Sequence, residues 1–317
     1  MANELRQGIN NVVLVGIVKE NKLNEGSNKD GKYINGSLVL KTGEFSEIEI
    51  KVFVKEKTKK GTTNKTYDVL AKIIDKEYIT LADCKSDEDR DNVTRVRISG
   101  NKGFTSGFKE DIFKAKDSDE VIEKRNIDLG FGNISVDSSI KDDEFKATFD
   151  VEMFVTSVTE ESKNNETTGR AIVKGWTPVY GGKVIPMEVV VGIIKDDDGE
   201  DLDFGADILA QIDEGMSFNA WGDIDYRSII TTTKKGGGLG RAKVEETKTY
   251  VNDLVVVGAD IIEEKNEFDM ELIKAAKIER DSEIEDIKNE ESESKNKGKG
   301  LGKSKNPDKE KRARPNF

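Results

Sequence analysis

The sequence predicts a chain that is mainly all-β: two tandem five-stranded units, each with a connecting helix, then an acidic helix and a disordered tail. Three observations carry this reading. Short runs of alternating apolar and polar residues recur along the chain, which is the period of half-buried strands. The order of those runs is largely repeated. Charged residues make up 36% of the 317 residues against 35% hydrophobic, a polar balance for one compact globule, so part of the chain is expected outside any core. The units are placed at residues 1–139 and 140–265, with residues 266–317 as the acidic helix and lysine-rich tail.

The first strand, Asn10 to Val18, is apolar and carries Gly16 inside it. An interior glycine weakens a strand, so it marks a bulge, a sharp bend or another backbone passing close by. A strand curling round a small barrel needs such a bend. A polar loop is expected over Glu20 to Lys32, and a second strand over Ile34 to Lys41. In the third, Glu47 to Val54, the residues Ile48, Ile50, Val52 and Val54 fall on one face and Glu47, Glu49, Lys51 and Phe53 on the other. Phe53 is thus an aromatic on a polar face, where packing alone would not put it. A basic loop from Lys55 to Lys65, a helix over Tyr67 to Ile74 and a strand over Val93 to Gly100 follow, and Asn126 to Val136 is expected to close the unit.

The second unit opens with Phe149 to Val155, and its next strands, Arg170 to Trp176 and Val184 to Ile194, are joined by the turn Tyr180-Gly181-Gly182-Lys183. A helix is expected over Phe204 to Ile212, with Gly215 at its end. Strands over Met216 to Ala220 and Asp223 to Ile230 flank Gly222, and a loop from Thr231 to Thr249 leads to a last strand, Tyr250 to Ile262. The order strand, strand, strand, helix, strand, strand is that of the five-stranded Greek-key barrel, the OB-fold.

Composition excludes several chemistries. With no histidine and one cysteine, Cys84, the chain can build neither a His-activated nucleophile nor a Cys-cluster zinc site, nor an internal disulfide. No enzyme activity and no cofactor or metal is expected. Asp196 to Asp201 is acidic but has its glycine in the wrong place for a calcium loop, and reads as a turn. The glycine-rich stretches at Gly236 and Gly298 do not open helices after strands, so they cradle no phosphate. No stretch of eighteen apolar residues and no apolar leader occur, so a cytoplasmic protein without a membrane segment is expected, in a bacterial host if the chain is phage-encoded.

Asn11-Val12-Val13-Leu14-Val15-Gly16 resembles the opening strand of bacterial and phage single-stranded DNA-binding proteins, and Ile50-Lys51-Val52-Phe53 is similar to their third strand, which ends in a DNA-stacking aromatic. Ile208-Leu209, Glu214-Gly215, Trp221-Gly222, Tyr226 and Val251 to Asp260 are similar, in that order, to the family's helix, fourth strand and closing strand. The resemblance implies sequence-independent binding of single-stranded DNA, with RNA left open, in replication or recombination of a phage or mobile element. It also implies replication or recombination partners recruited through the C-terminal tail. The family ends in an acidic tail finishing Pro-Phe, whereas this chain ends Arg312-Ala313-Arg314-Pro315-Asn316-Phe317.

Binding of this kind combines clustered cations with exposed rings on which bases stack. Residues 1–139 carry 24 Lys+Arg against 24 Asp+Glu, and residues 140–265 carry 14 against 26, so the first unit is the expected binder. Its candidates are the cations Lys55, Lys57, Lys59, Lys60, Arg95, Arg97 and Lys102 and the rings Tyr33, Phe53, Phe104 and Phe108. In the second unit they are Trp176, Tyr180 and, on a flexible arm that can close over a strand, Lys234, Lys235 and Arg241. Each is also compatible with a solvated face or a core position. The acidic stretch from Glu267 is expected to fold back onto the basic loop at Lys55 to Lys65, and Glu290 to Phe317 to be disordered. The alternative function is an adaptor whose barrels make protein contacts.

Overall fold

In the third strand, every residue that alternation assigns inward is buried: Ile48, Ile50, Val52 and Val54. The structure is a computed structural model, and it describes residues 4–100, 106–115, 120–163, 165–195, 198–235 and 243–297. It is mainly β. The strands of the first half are β1 (Asn10–Asn28), β2 (Gly31–Lys41), β3 (Glu47–Lys55), β4 (Arg95–Ser99), β5 (Gly107–Lys114), β6 (Val121–Asp128) and β7 (Asn133–Val136). Helix α1 (Lys65–Ile74) and a single turn, α2 (Asp87–Arg90), lie between β3 and β4. The second half holds β8 (Lys146–Lys163), β9 (Glu166–Pro178), β10 (Val184–Val191), β11 (Ile193–Lys195), β12 (Asp201–Asp203), α3 (Phe204–Gln211), β13 (Ser217–Lys235) and β14 (Lys243–Ile261), and α4 (Met270–Lys297) follows. No helix among the described residues is long and apolar enough to cross a membrane.

Both halves share one pairing scheme. In the second, β8 pairs with β9, β9 with β10, β10 with β14 in parallel, β14 with β13, and β13 again with β8. In the first, β1, β2, β3 and β6 pair in the same order, the last pair again parallel. Strand β5 continues the line of β4 along β1, since the Val12 amide donates to the Ser106 carbonyl at 2.8 Å and the Asn10 side chain bonds both the amide and the carbonyl of Phe108. The halves are not separate sheets: β1 runs antiparallel to β8 from Asn10↔Val151 to Val15↔Lys146, within one 12-stranded sheet that is not a single closed barrel. One contiguous core runs from Val12 in β1 to Val256 in β14.

Gly16 has the close-passage role that its position in the sequence suggests. It lies against the backbone of Lys41, whose carbonyl occupies the space a Cβ would need. Gly222 is held in the same way against the Val255 carbonyl, at the bulge between Trp221 and Gly222.

Several boundaries differ from the sequence reading, mostly because polar residues carry strands further than apolar ones announce. Glu20 to Lys32 is no loop: β1 and β2 pair to Asn28↔Gly31, and the Asn28 side chain accepts from the Asp30 amide at 2.9 Å to shape a two-residue turn. Thr231 to Thr249 likewise forms a hairpin arm, paired to Lys235↔Lys243, and the two strands expected around Gly222 are one. The closing strand over Asn126 to Val136 is broken between β6 and β7, and Val184 to Ile194 divides at Gly192 into β10 and β11. Gly215 does not cap α3, which ends at Gln211 with Ile212 extended; Gly215 shapes the next turn at φ +94.

The acidic segment differs most. Ile273, Ala276 and Ile284 of α4 are buried, each large aliphatic worth about 1.5–3 kcal/mol on transfer from water. The sparse apolar residues still make a stripe because α4 packs on β10, β5 and β6, not on the Lys55 to Lys65 loop. The helix passes Glu290 to reach Lys297; the rest of the tail expected to be disordered, 298–317, lies outside the described residues.

Candidate nucleic-acid interface

The outward face of β2 and β3 follows from the same alternation that buries Ile34, Leu38, Ile50 and Val54. Directly opposed residues in an antiparallel pair share a face, so Tyr33↔Lys55, Asn35↔Phe53, Ser37↔Lys51 and Val39↔Glu49 all point away from the core. The Tyr33 and Phe53 rings are diagonal neighbours with centroids 5.5 Å apart and planes at 34°, and Phe53 is 55% exposed. Tyr33 lies across β1 because its neighbour there is Gly26, where a Cβ would strike the ring.

The basic loop adjoins this pair. It leaves β3 beside Tyr33, is tied back by the Glu56 amide donating to the Lys32 carbonyl at 3.0 Å, and is closed by the Lys57↔Thr63 bridge and a Thr58–Thr62 hydroxyl contact at 2.8 Å. Asn64 accepts from the Thr66 amide at 3.1 Å, capping α1, and donates to the Lys55 carbonyl at 3.1 Å. Lys57, Lys59 and Lys60 are exposed on it, while Lys55 is shared with Asp30 at 3.3 Å.

Sequence reasoning missed three members of the face. Lys51 is opposed to Ser37 and flanked in parallel by Asp128 of β6, which carries the face on to Lys124. Beyond it, Phe113 of β5, paired to Ile122, is 44% exposed on the same side. The signal for Phe113 was the alternation of Phe108 and Ile112 against Lys109, Asp111 and Phe113, hidden because the segment is rich in acids. Among these cations sits one anion, Glu49. The Ser37 hydroxyl donating to it at 2.6 Å, with Lys22, Lys51 and Lys124 nearby, holds its carboxyl below the usual carboxylate range against the opposing effect of burial.

Other candidates lie elsewhere. Arg95 and Arg97 are on β4, opposite Ile17 and Val15 of β1. Arg95 is paired with Asp142 at 2.6 Å, lies 5.4 Å from the Phe145 ring, and shares a cleft with Lys41, eight residues along β2 from Tyr33 or about 26 Å at a strand's rise per residue. Phe108 is not a stacking ring: it is 3% exposed, because it faces the core beside Ile127. Trp176 is covered by α4, with the Arg280 guanidinium 5.4 Å and the Lys277 ammonium 6.0 Å from its ring. Tyr180 is 82% exposed at the turn between β9 and β10. Lys234 and Lys235 end β13 on a paired arm instead of a flexible loop. Lys102, Phe104 and Arg241 lie outside the described residues.

The fold and this face define a mainly β protein with an exposed aromatic pair set among cations. The model of the YorF family matches residues 8–290, and the chain belongs to that family. No curated protein matches it. Among solved structures, a crystal structure of a deletion mutant of the single-stranded DNA-binding protein from Thermus aquaticus aligns with a TM-score of 0.40 and 9% identity, over 81% of this chain and 96% of that one.

Proposed function

We propose that this protein binds single-stranded DNA without sequence preference, through two OB-fold units of which the first, residues 1–139, supplies the main face. The observation that carries the reading is the Tyr33–Phe53 pair, two neighbouring rings exposed on a strand face with Lys51 and the loop cations beside them. Nothing in the core requires Phe53 there, and base stacking gives such a ring about 1–3 kcal/mol. The repeated pairing scheme supports the two-unit reading, since in each half the third and last strands pair in parallel and the fourth returns to the first. On this reading the protein is a strand-coating protein and no enzyme, acting in the replication or recombination of a phage or mobile element in the bacterial cytoplasm. Its C-terminal tail is a contact for partners in those processes.

An electrophoretic shift on dT and rU oligomers at low and high salt tests this. Binding of dT that weakens steeply with salt supports it, and the rU series measures the preference for DNA. The adaptor reading is favoured by one observation, the covering of Trp176 by α4, which makes the second unit's outward face a protein contact. Absence of dT binding at low salt would select it.

A further inference from the structure

The two units present equivalent outward faces, but only one is open. In the first unit, the β2–β3 face carries Tyr33 and Phe53 uncovered. In the second, the equivalent strands are β9 and β10, and the ring on their outer side is Trp176, opposite Pro186. Helix α4 lies over it: Phe268, Ile273 and Ala276 pack with Phe154 and Val184, and Trp176 packs against that cluster.

How the helix is held indicates a latch. Its root is fixed, because the Phe268 amide donates to the buried Ser217 hydroxyl at 2.8 Å and Arg6 lies 4.0 Å over the Phe268 ring. Further along, Arg280 bonds Glu110 of β5 through its Nε at 2.7 Å and reaches Glu123 of β6. Those partners belong to the first unit's arm, so one side chain joins the helix, the first unit and the second unit's face. The arrangement raises the guanidinium's affinity for its proton and keeps it charged. Removing one partner of such a nearly buried pair leaves an uncompensated charge, which makes the latch sensitive to a single change. Beside it, Trp176, Arg125, Lys174 and Thr156 line a cavity of about 460 Å³ between the arm and β9–β10, with two cations and a ring directed at the same space.

We infer that the second unit's β9–β10 face is a second single-strand-binding face, which α4 keeps closed and which opens when α4 lifts about Phe268. This rests on the strand-binding reading above. When α4 is closed, its solvent-facing acids, including Glu271, Glu279, Glu285 and Asp286, repel phosphate from that side. When it lifts, Trp176 and Lys174 are available to a strand already held by the first face.

The chain has two tryptophans, so Trp221→Phe leaves Trp176 as the sole reporter. In the full-length Trp221→Phe chain, dT oligomers should bind with little change in Trp176 emission. Adding Arg280→Ala should produce strong quenching by dT and about a twofold rise in nucleotides occluded per chain, as expected when a second OB-type site is filled. If Arg280→Ala fails to fold, Glu123→Gln, at the more exposed partner, provides the same test, with a cooperative melt confirming the fold. Binding that Phe53→Ala still weakens, with Trp176 emission and occluded length unchanged in both latch variants, overturns this inference and leaves the strand-binding reading intact. A chain that binds no oligomer in any form overturns both.

Discussion

Tyr33 and Phe53 lie on neighbouring strands with ring centroids 5.5 Å apart, on the face of β2–β3 turned away from the core. The pair exists because Gly26 yields its space to Tyr33 and because strict alternation in β3 leaves Phe53 outside. Phe53→Ala should therefore leave the melting transition nearly unchanged and weaken dT binding by about 1–3 kcal/mol, roughly 5- to 150-fold. Fluorescence anisotropy with a labelled dT oligomer, paired with a thermal melt, checks both halves.

Phe108 is the matched control. It faces the core beside Ile127, with the Arg125 guanidinium 5.4 Å from its ring. Phe108→Ala should destabilise the fold by about 3–5 kcal/mol through the cavity it leaves. A denaturant titration measures this, and a loss of dT affinity without loss of stability would show that the ring had been placed on the wrong face.

Glu49 sets a brake on the same surface. Held ionised by the Ser37 hydroxyl and the surrounding lysines, it opposes an approaching phosphate backbone. Glu49→Gln should tighten dT binding several-fold at low salt, and the gain should shrink as salt rises, since screening removes repulsion between partly exposed charges. Unchanged affinity at low salt would indicate that the strand does not cross Glu49.

Tyr67 links α1 to the long β1–β2 hairpin by donating to Glu25 at 2.9 Å. Burial, followed by the Glu25 hydrogen bond and charge, pushes its phenol from 10.0 up to about 12. The folded state thus holds this proton more tightly than the unfolded state, so its contribution is fully present below pH 10 and is lost as pH rises through about 12. Tyr67→Phe should cost about 0.5–1.5 kcal/mol at neutral pH from the lost hydrogen bond, and its stability should fall less between pH 10 and 12 than the parent's. Parallel curves for the two proteins would contradict the linkage.

How much could be read in advance depended on which residues carried the signal. The β3 face was legible because Ile48, Ile50, Val52 and Val54 alternate without exception, and that alternation exposed Phe53. The hairpin arms were not, because Glu20 to Lys32 and Thr231 to Thr249 pair through their backbones while presenting polar side chains on both faces. Hydrophobic periodicity cannot register such a strand. Phe108 and Phe113 were misjudged together: without the register Phe108↔Ile127 and Phe113↔Ile122, nothing local says which of two aromatics five residues apart faces inward. The covering of Trp176 was out of reach, since it depends on Arg280 meeting Glu110 and Glu123 more than 150 residues away.

The central claim is that the Tyr33–Phe53 face binds single-stranded DNA, and the salt dependence of dT affinity for the parent chain and Phe53→Ala tests it most directly. The account predicts that log affinity falls linearly with log salt for both proteins, because lysine–phosphate contacts release counterions. It also predicts parallel lines offset by the lost stacking energy, since Phe53 carries no charge. Lines that coincide, or a parent chain with no affinity for dT at low salt, would contradict it.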